Sequence, residues 1–448
     1  MIKKIIALLI ITISFSLSQI KDSPIVFDLQ DCIETAKKYN ADISIAKARY
    51  EQSGADVTGA FGDYLPSINF NMGYTRNLDA GSVTSVNVGG QTIPIAKVQP
   101  NSYRMDAVAS WTIFDGFARE ANYNLTKKNQ SYYSYMIKQT EHQVIMTIYR
   151  QYIDVIRKYQ IIKIRKETLE QGKTELKKVQ ALYEAGSSPK SSVYAQEAEI
   201  GSQEYELIKA ENDYSIAKAN LLTTMGLNPD VNAEFLESSL PNVVTEEDII
   251  NFRKEIGSFE SALNTALLFR PDYFASKEIT EASESSVTAA SSGYYPRLTA
   301  SGGWTWSNTE FDRFSELGRS FIGLSLSVPI FENFNTNQNV QSAKLRLKQS
   351  QVQQFQTEQN IRNTLKTAFL NLDAAEKQLD ITSRALKSAE MNYQSNLERY
   401  NLGVIDISVY IDANRQYITA QINRISSIYS YFQAQKEILY AIGKIVNQ

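Results

Sequence analysis

Two stretches of this chain contain almost nothing that would stop a helix. Residues 117–184 hold no proline and one glycine, Gly172, and residues 334–401 hold neither. At 1.5 Å per residue, each run of 68 residues is roughly 100 Å of helix. That is far beyond the usual length of about 11–12 residues, and long helices in water are stabilised by packing an apolar stripe rather than by propensity. The stripes are present. Ile148, Tyr152, Val155, Tyr159 and Ile162 follow spacings of 4, 3, 4 and 3, and Leu386, Ala389, Tyr393, Leu397 and Tyr400 follow 3, 4, 4 and 3. Spacing of this kind makes coiled-coil seams. The chain is therefore read as mainly α, with a small β part.

The two runs belong to a repeat. WTIFDGFARE from Trp111 matches VPIFENFNTN from Val328, with Ile113 in register with Ile330. The same offset relates the turns YEAG (183–186) and YNLG (400–403), and it relates Gly226 to Gly443. Ser192-Val193-Tyr194 recurs as Ser408-Val409-Tyr410 with a shift of one position. Upstream, Tyr64 and Pro66 match Tyr294 and Pro296 at a wider offset. The difference falls in a longer loop of the first copy, containing SVTSVNVGGQTIP. Loops take such insertions readily.

Each copy reads helix, strand, loop, strand, long helix, turn, helix. The first repeat is placed at 19–226, with a helix over 28–62, strands 67–75 and 102–114, and helices 117–184 and 189–226. A connector follows at 227–262. The second repeat is placed at 263–448, with a helix leading into strands 298–308 and 320–330, then helices 334–401 and 407–443.

The strands have one dry and one wet face. Ile68, Phe70, Met72 and Tyr74 alternate with Ser67, Asn69, Asn71 and Gly73. Tyr103, Met105, Ala107, Ala109 and Trp111 alternate with Arg104, Asp106, Ser110 and Thr112. Trp304 and Trp306 share the dry side of the third strand, and Ile322 to Ile330 alternate with Gly323, Ser325 and Ser327 in the fourth. Strands of about ten residues cross a bilayer when tilted. Trp111, Trp304 and Trp306, the chain's three tryptophans, are expected as lipid-interface anchors. Four strands cannot close a barrel, and open sheet edges are not tolerated in hydrocarbon. Several copies must pool their strands, and 12 or 16 strands leave a passage where 8 are filled by side chains.

Composition excludes more than it assigns. With 46 basic and 49 acidic residues well mixed, a nucleic-acid role has no electrostatic support. One cysteine, Cys32, and one histidine, His142, give no disulfide, no Cys/His metal site and no histidine-based triad. Cys32 lies too far past the leading apolar run for lipidation, and an enzyme is not expected. Residues 1–18, with Lys3 and Lys4 before an apolar run, read as a secretory signal.

The repeat, the joints YLPS and YYPR, the joints IFDGFARE and PIFENF, and the turns YEAG and YNLG together resemble a TolC-family outer-membrane efflux protein across essentially all of the mature chain. The resemblance implies a homotrimer in the outer-membrane lipid, with a 12-stranded β-barrel and a helical tunnel in the periplasm. It implies passive exit for cargo from an inner-membrane RND, ABC or MFS transporter, docked through a periplasmic membrane-fusion adaptor. Cargo in the family ranges over drugs, metal ions and secreted polypeptides, and no cofactor is implied. In GVIDISVYIDANRQ, Asp412 matches the second of two aspartates that line the family's inner aperture; Val409 occupies the first position, and Asp406 lies one turn earlier. Tyr400 matches a tyrosine that holds the aperture shut, and Ile405 stands where the family has an arginine. The turns at Gly186–Ser187 and Gly403–Val404 match adaptor-docking tips. A different class, an exported coiled-coil structural or adhesive surface protein, explains the heptads and the export but not the paired strands.

Overall fold

The computed structural model describes residues 24–78, 83–97, 99–314 and 316–445. The proposed signal, 1–18, lies outside them. In chain order the first half forms β1 (Ile25–Phe27), α1 (Leu29–Tyr39), α2 (Ala41–Gly62), β2 (Ser67–Arg76), β3 (Val83–Val88), β4 (Gln91–Lys97), β5 (Asn101–Phe114), α3 (Ala118–Glu184) and α4 (Lys190–Thr224). The second half forms β6 (Ala233–Phe235), α5 (Glu246–Ile256), α6 (Phe259–Phe269), α7 (Pro271–Ser291), β7 (Arg297–Asn308), β8 (Arg319–Ser327), α8 (Asn335–Asn401) and α9 (Ile407–Ala441). The protein is mainly α, and α3 and α8 have 67 residues each.

The described residues divide into two compact units, and neither is one of the sequence repeats. One unit holds residues 41–146, 250–373 and 434–445; the other holds 24–40, 147–249 and 374–433. Each takes material from both copies of the repeat.

The first unit contains an antiparallel sheet of four strands in the order β2-β5-β7-β8. Its register pairs Phe70 with Ala107, Ala107 with Trp304, Asp106 with Thr305, and Thr305 with Arg319. Because directly opposed residues share a face, Ile68, Phe70, Met72, Ala107, Trp304, Ile322 and Leu324 lie on one side. Asn71, Arg104, Asp106, Thr305 and Arg319 lie on the other. The expected strand 320–330 ends earlier, at Ser327, so Val328 and Ile330 are not in the ladder. Pro329 lies two residues past Ser327, and a residue without an N–H cannot continue a ladder. The longer first loop carries the β3–β4 hairpin, turned at Gly89-Gly90, both at positive φ. Two adjacent glycines there match a tight hairpin turn.

Both strand-to-helix joints use two successive left-handed residues, Gly116-Phe117 (φ 70° and 70°) and Asn333-Phe334 (φ 51° and 63°). Gly and Asn accept that region readily, whereas each Phe is held there at a cost. At the first joint Arg119 fixes the bend. Its Nη1 and Nη2 donate to the Thr112 and Ile113 carbonyls at 2.7 and 2.9 Å, and its Nε donates to Asp115 at 3.1 Å.

The expected single helix over 28–62 is interrupted: α1 stops at Tyr39 and α2 starts at Ala41. Asn40 between them is extended, with φ −63° and ψ 133°. Its side chain donates to the Thr224 carbonyl at the end of α4 (2.8 Å). The second repeat breaks between α6 and α7 at Arg270, just before Pro271, as expected of a residue preceding proline. Arg270 donates to the Ala441 carbonyl at the end of α9 (3.2 Å). Thr224 and Ala441 hold equivalent positions in the two repeats, so different side chains satisfy equivalent orphan carbonyls.

In the second unit, β1 pairs in parallel with β6 from the connector, Phe27 opposite Phe235. Cys32 is fully buried on α1, and burial pushes its thiol up to about 12.

Candidate functional site

The turns between α3 and α4 and between α8 and α9 lie within the second unit. Each helix ends in a glycine with left-handed φ, Gly186 at 70° and Gly403 at 71°. The pattern of orphan-carbonyl capping is the same in both. Ser187 N–H donates to Leu182 C=O (2.8 Å), and Val404 N–H donates to Arg399 C=O (2.9 Å). Gly186, Ser187, Gly403 and Val404 are exposed, and Leu402 beside them is 78% exposed.

Behind the turns, a core joins all four helices. Val179 of α3, Val193 of α4, and Ile407, Tyr410 and Ile411 of α9 are buried, with Leu397 and Tyr400 of α8 packed against them. Tyr400 stacks on Tyr410 with centroids 5.1 Å apart and ring planes 12° apart, and Tyr393 stacks on Tyr417 at 5.2 Å and 9°. Lys178 sits 5.1 Å above the Tyr400 ring. Burial, followed by the nearby Glu175 carboxylate, pushes the Tyr400 hydroxyl well above the usual phenol range, so it remains a neutral donor.

The three aperture candidates therefore have different surroundings. Asp412 is exposed on α9, with Arg415 one turn on at 3.8 Å. Asp406 immediately precedes α9 and accepts from the Ser408 N–H and hydroxyl, both at 2.9 Å. Those bonds hold its carboxyl below the usual range. Asp406 thus works as a helix N-cap. Tyr400 belongs to the core.

Sequence reasoning missed the ion pair beside Asp412. Arg415 Nε donates to Glu199 of α4 at 2.8 Å, and the Glu199 side chain is only 6% exposed. Glu199 in turn accepts from Gln203 (3.1 Å). Glu199 and Arg415 share the offset of the two Ser-Val-Tyr tripeptides. That offset was the available signal.

The tryptophans separate as well. Trp111 is 45% exposed, and its indole N–H donates to the Tyr64 carbonyl of the helix-to-strand joint (2.9 Å). Trp304 is half-buried against Phe314. Trp306 is 1% exposed, ringed by Phe311 and Phe314, with its N–H donating to the Glu316 carbonyl at 2.7 Å. Its expected lipid-anchoring role is corrected: the β7–β8 loop covers it, leaving almost no surface for lipid.

The model of the outer membrane efflux protein family matches residues 32–227 and 262–444, which are the two halves of the repeat. The chain belongs to that family. Among its relatives are a probable outer membrane lipoprotein, SilC of Salmonella typhimurium, and outer membrane protein TolC of Vibrio cholerae. SilC is 22% identical, over 96% of this chain and 91% of SilC. TolC is 21% identical, over 98% of this chain and 96% of TolC. Solved structures with the same fold include CusC and the outer membrane channel CmeC of Campylobacter jejuni. CusC is 17% identical with a TM-score of 0.77, covering 93% of this chain and 92% of CusC. CmeC is 20% identical with a TM-score of 0.76, covering 93% of this chain and 86% of CmeC. The protein is an outer-membrane efflux channel of the TolC family. Among the described residues no helix is long and apolar enough to cross a membrane.

Proposed function

We propose that three copies of this chain close a 12-stranded barrel around a water-filled lumen and give passive exit to cargo supplied by an inner-membrane pump. The observation that carries this is the sheet. Its marginal strands are β2 and β8, and the face they share is apolar and open, with Phe70 at 66%, Ile322 at 94% and Leu324 at 71% exposure. An apolar face suits lipid, but a sheet with unpaired margins does not, because each unsatisfied backbone group in hydrocarbon costs several kcal/mol. Pairing β8 of one copy with β2 of the next removes every margin. Helix α8 supports the same reading. Leu345, Val352, Phe355 and Leu370 are more than half exposed and fall near one helical face, a stripe suited to packing against a second copy.

On this reading the turns at Gly186–Ser187 and Gly403–Val404 dock the periplasmic adaptor, and Asp412 from three copies rings the inner aperture. Like charges brought close around an axis favour cations, as acidic rings do in other pores. The assignments follow the family positions, and the exposure of these residues agrees with them. No step asks the protein for chemistry; the work is conduction.

The test is assembly with conductance. Purified protein in detergent is expected to run at three times the chain mass by native mass spectrometry, to show heat-modifiable gel mobility, and to conduct in planar bilayers. A stable, electrically silent monomer refutes the proposal.

A further inference from the structure

The wet face of the sheet carries a charge bias that the family assignment does not explain. Its register places Arg104, Asp106, Arg297 and Arg319 on that face, three cations against one anion. Asp106, Thr305 and Arg319 form one row across three strands, and Arg104 lies one row further from the helical joints, opposite Ser307. The single acid is engaged, accepting from Asn71 Nδ2 at 2.8 Å. Arg297, near the helical joints, donates to Thr112 Oγ1 at 3.4 Å. Among the described residues the Arg104 and Arg319 side chains have neither an ion-pair nor a hydrogen-bond partner. They line a pocket of about 510 Å³ with Asp106, Thr305 and Ser307.

Two unpaired guanidinium groups could not sit in lipid, where an arginine at the bilayer midplane costs roughly 2–4 kcal/mol. In a water-filled lumen they cost little and act on whatever passes. Charges act over about 8–10 Å at ordinary ionic strength, and a guanidinium fork matches carboxylate and phosphate groups. We propose that Arg104 and Arg319 form a collar in the outer part of the barrel that favours solutes bearing carboxylate or phosphate groups. They are then specificity-determining residues opposite in sign to Asp412. The proposal rests on the trimeric barrel argued above.

The experiment uses the full-length channel carrying Thr305→Cys, reconstituted in lipid vesicles; Cys32 is fully buried and should not react. Rates of modification are measured with an anionic sulfonatoethyl and a cationic trimethylammonium-ethyl methanethiosulfonate. With both arginines present the anionic reagent is expected to react faster. Arg104→Gln with Arg319→Gln is expected to lower the anionic-to-cationic ratio on the order of tenfold, from screened Coulomb interactions over about 5–8 Å. Arg104→Lys with Arg319→Lys keeps the ratio. If the double glutamine variant does not assemble, Arg319→Gln alone, directly across the ladder from position 305, should lower it roughly threefold. An unchanged ratio in a glutamine variant refutes the collar while leaving the barrel standing. Failure of the introduced thiol to react with either reagent refutes the water-lined barrel, and the collar with it.

Discussion

Gly226→Ala should damage this protein more than the same change at Gly186, although both glycines cap helices at left-handed φ. Gly226 has φ +79°, and a Cβ there would lie 2.3 Å from the Tyr39 carbonyl oxygen and 2.6 Å from its carbon. Gly186 has φ +70°, with nothing within 4 Å of the added carbon. The left-handed penalty, about 1–2 kcal/mol for an L-residue, applies to both. Only Gly226 adds a collision with backbone. Overpacking of this kind costs roughly 1–3 kcal/mol, since α1 must move as a body. The expected losses are therefore about 2–5 kcal/mol at Gly226 and about 1–2 kcal/mol at Gly186. The repeat supplies an internal check. Gly443, the counterpart of Gly226 in the second copy, has φ +78° and would bring Cβ to 2.9 Å from the Phe269 carbonyl carbon, so Gly443→Ala should fall between the two. The assay is thermal unfolding of the detergent-solubilised protein by circular dichroism at one fixed scan rate, because unfolding of a large assembly is read as a rate. A Gly226→Ala melting temperature equal to that of Gly186→Ala would show that α1 does not press on the α4 cap.

The remaining predictions concern the helical turns. Asp412→Ala should reduce cation selectivity in planar bilayers, and an unchanged reversal potential under a salt gradient would remove Asp412 from the aperture. Asp406→Ala should cost about 1 kcal/mol by removing the α9 cap, with Asp406→Asn restoring most of it. Because the folded carboxyl sits below the ordinary value of 3.8, the stabilisation by Asp406 is complete above that value. It is lost as the pH falls through the lower folded value, and hydrogen exchange in the first turn of α9 reports it. Arg415→Gln should cost about 1–2 kcal/mol, since Glu199 is left buried while Arg415 itself is over half exposed. Adding Glu199→Gln should recover part of that loss; equal stability of single and double variants would show that the pair is uncoupled. Gly403→Glu meets no atom within 4 Å, though at φ +71° it carries the same left-handed penalty of about 1–2 kcal/mol as Gly186→Ala, and it should abolish export while leaving the trimer intact. Normal export would place docking elsewhere.

Much of this architecture was legible because it is written in periods. The two proline-free runs, the alternation from Ile68 to Tyr74 and the recurrence of Gly186 and Gly226 as Gly403 and Gly443 depend only on spacing along the chain, which helix and strand geometry translate directly into faces and ends. Fold class came from that information, and the family match agrees with it; the strand pairs and the proposed pooling of several copies were read from the same spacing. The break at Asn40 was not legible, because it depends on the Thr224 carbonyl, far along the chain, that only packing brings near. Trp306 reads like Trp304 in sequence, yet the loop between β7 and β8 folds over it and turns an expected lipid anchor into a buried ring. Asp406 and Asp412 read alike too, and both are exposed; hydrogen bonds to Ser408 made one a helix cap, while the other lies beside Arg415. The sequence alone determined which residues share a side of an element, since backbone periodicity is local. Which exposed side is covered, and which charge finds a partner, was decided by tertiary structure, because those energies depend on distances between segments far apart in the chain.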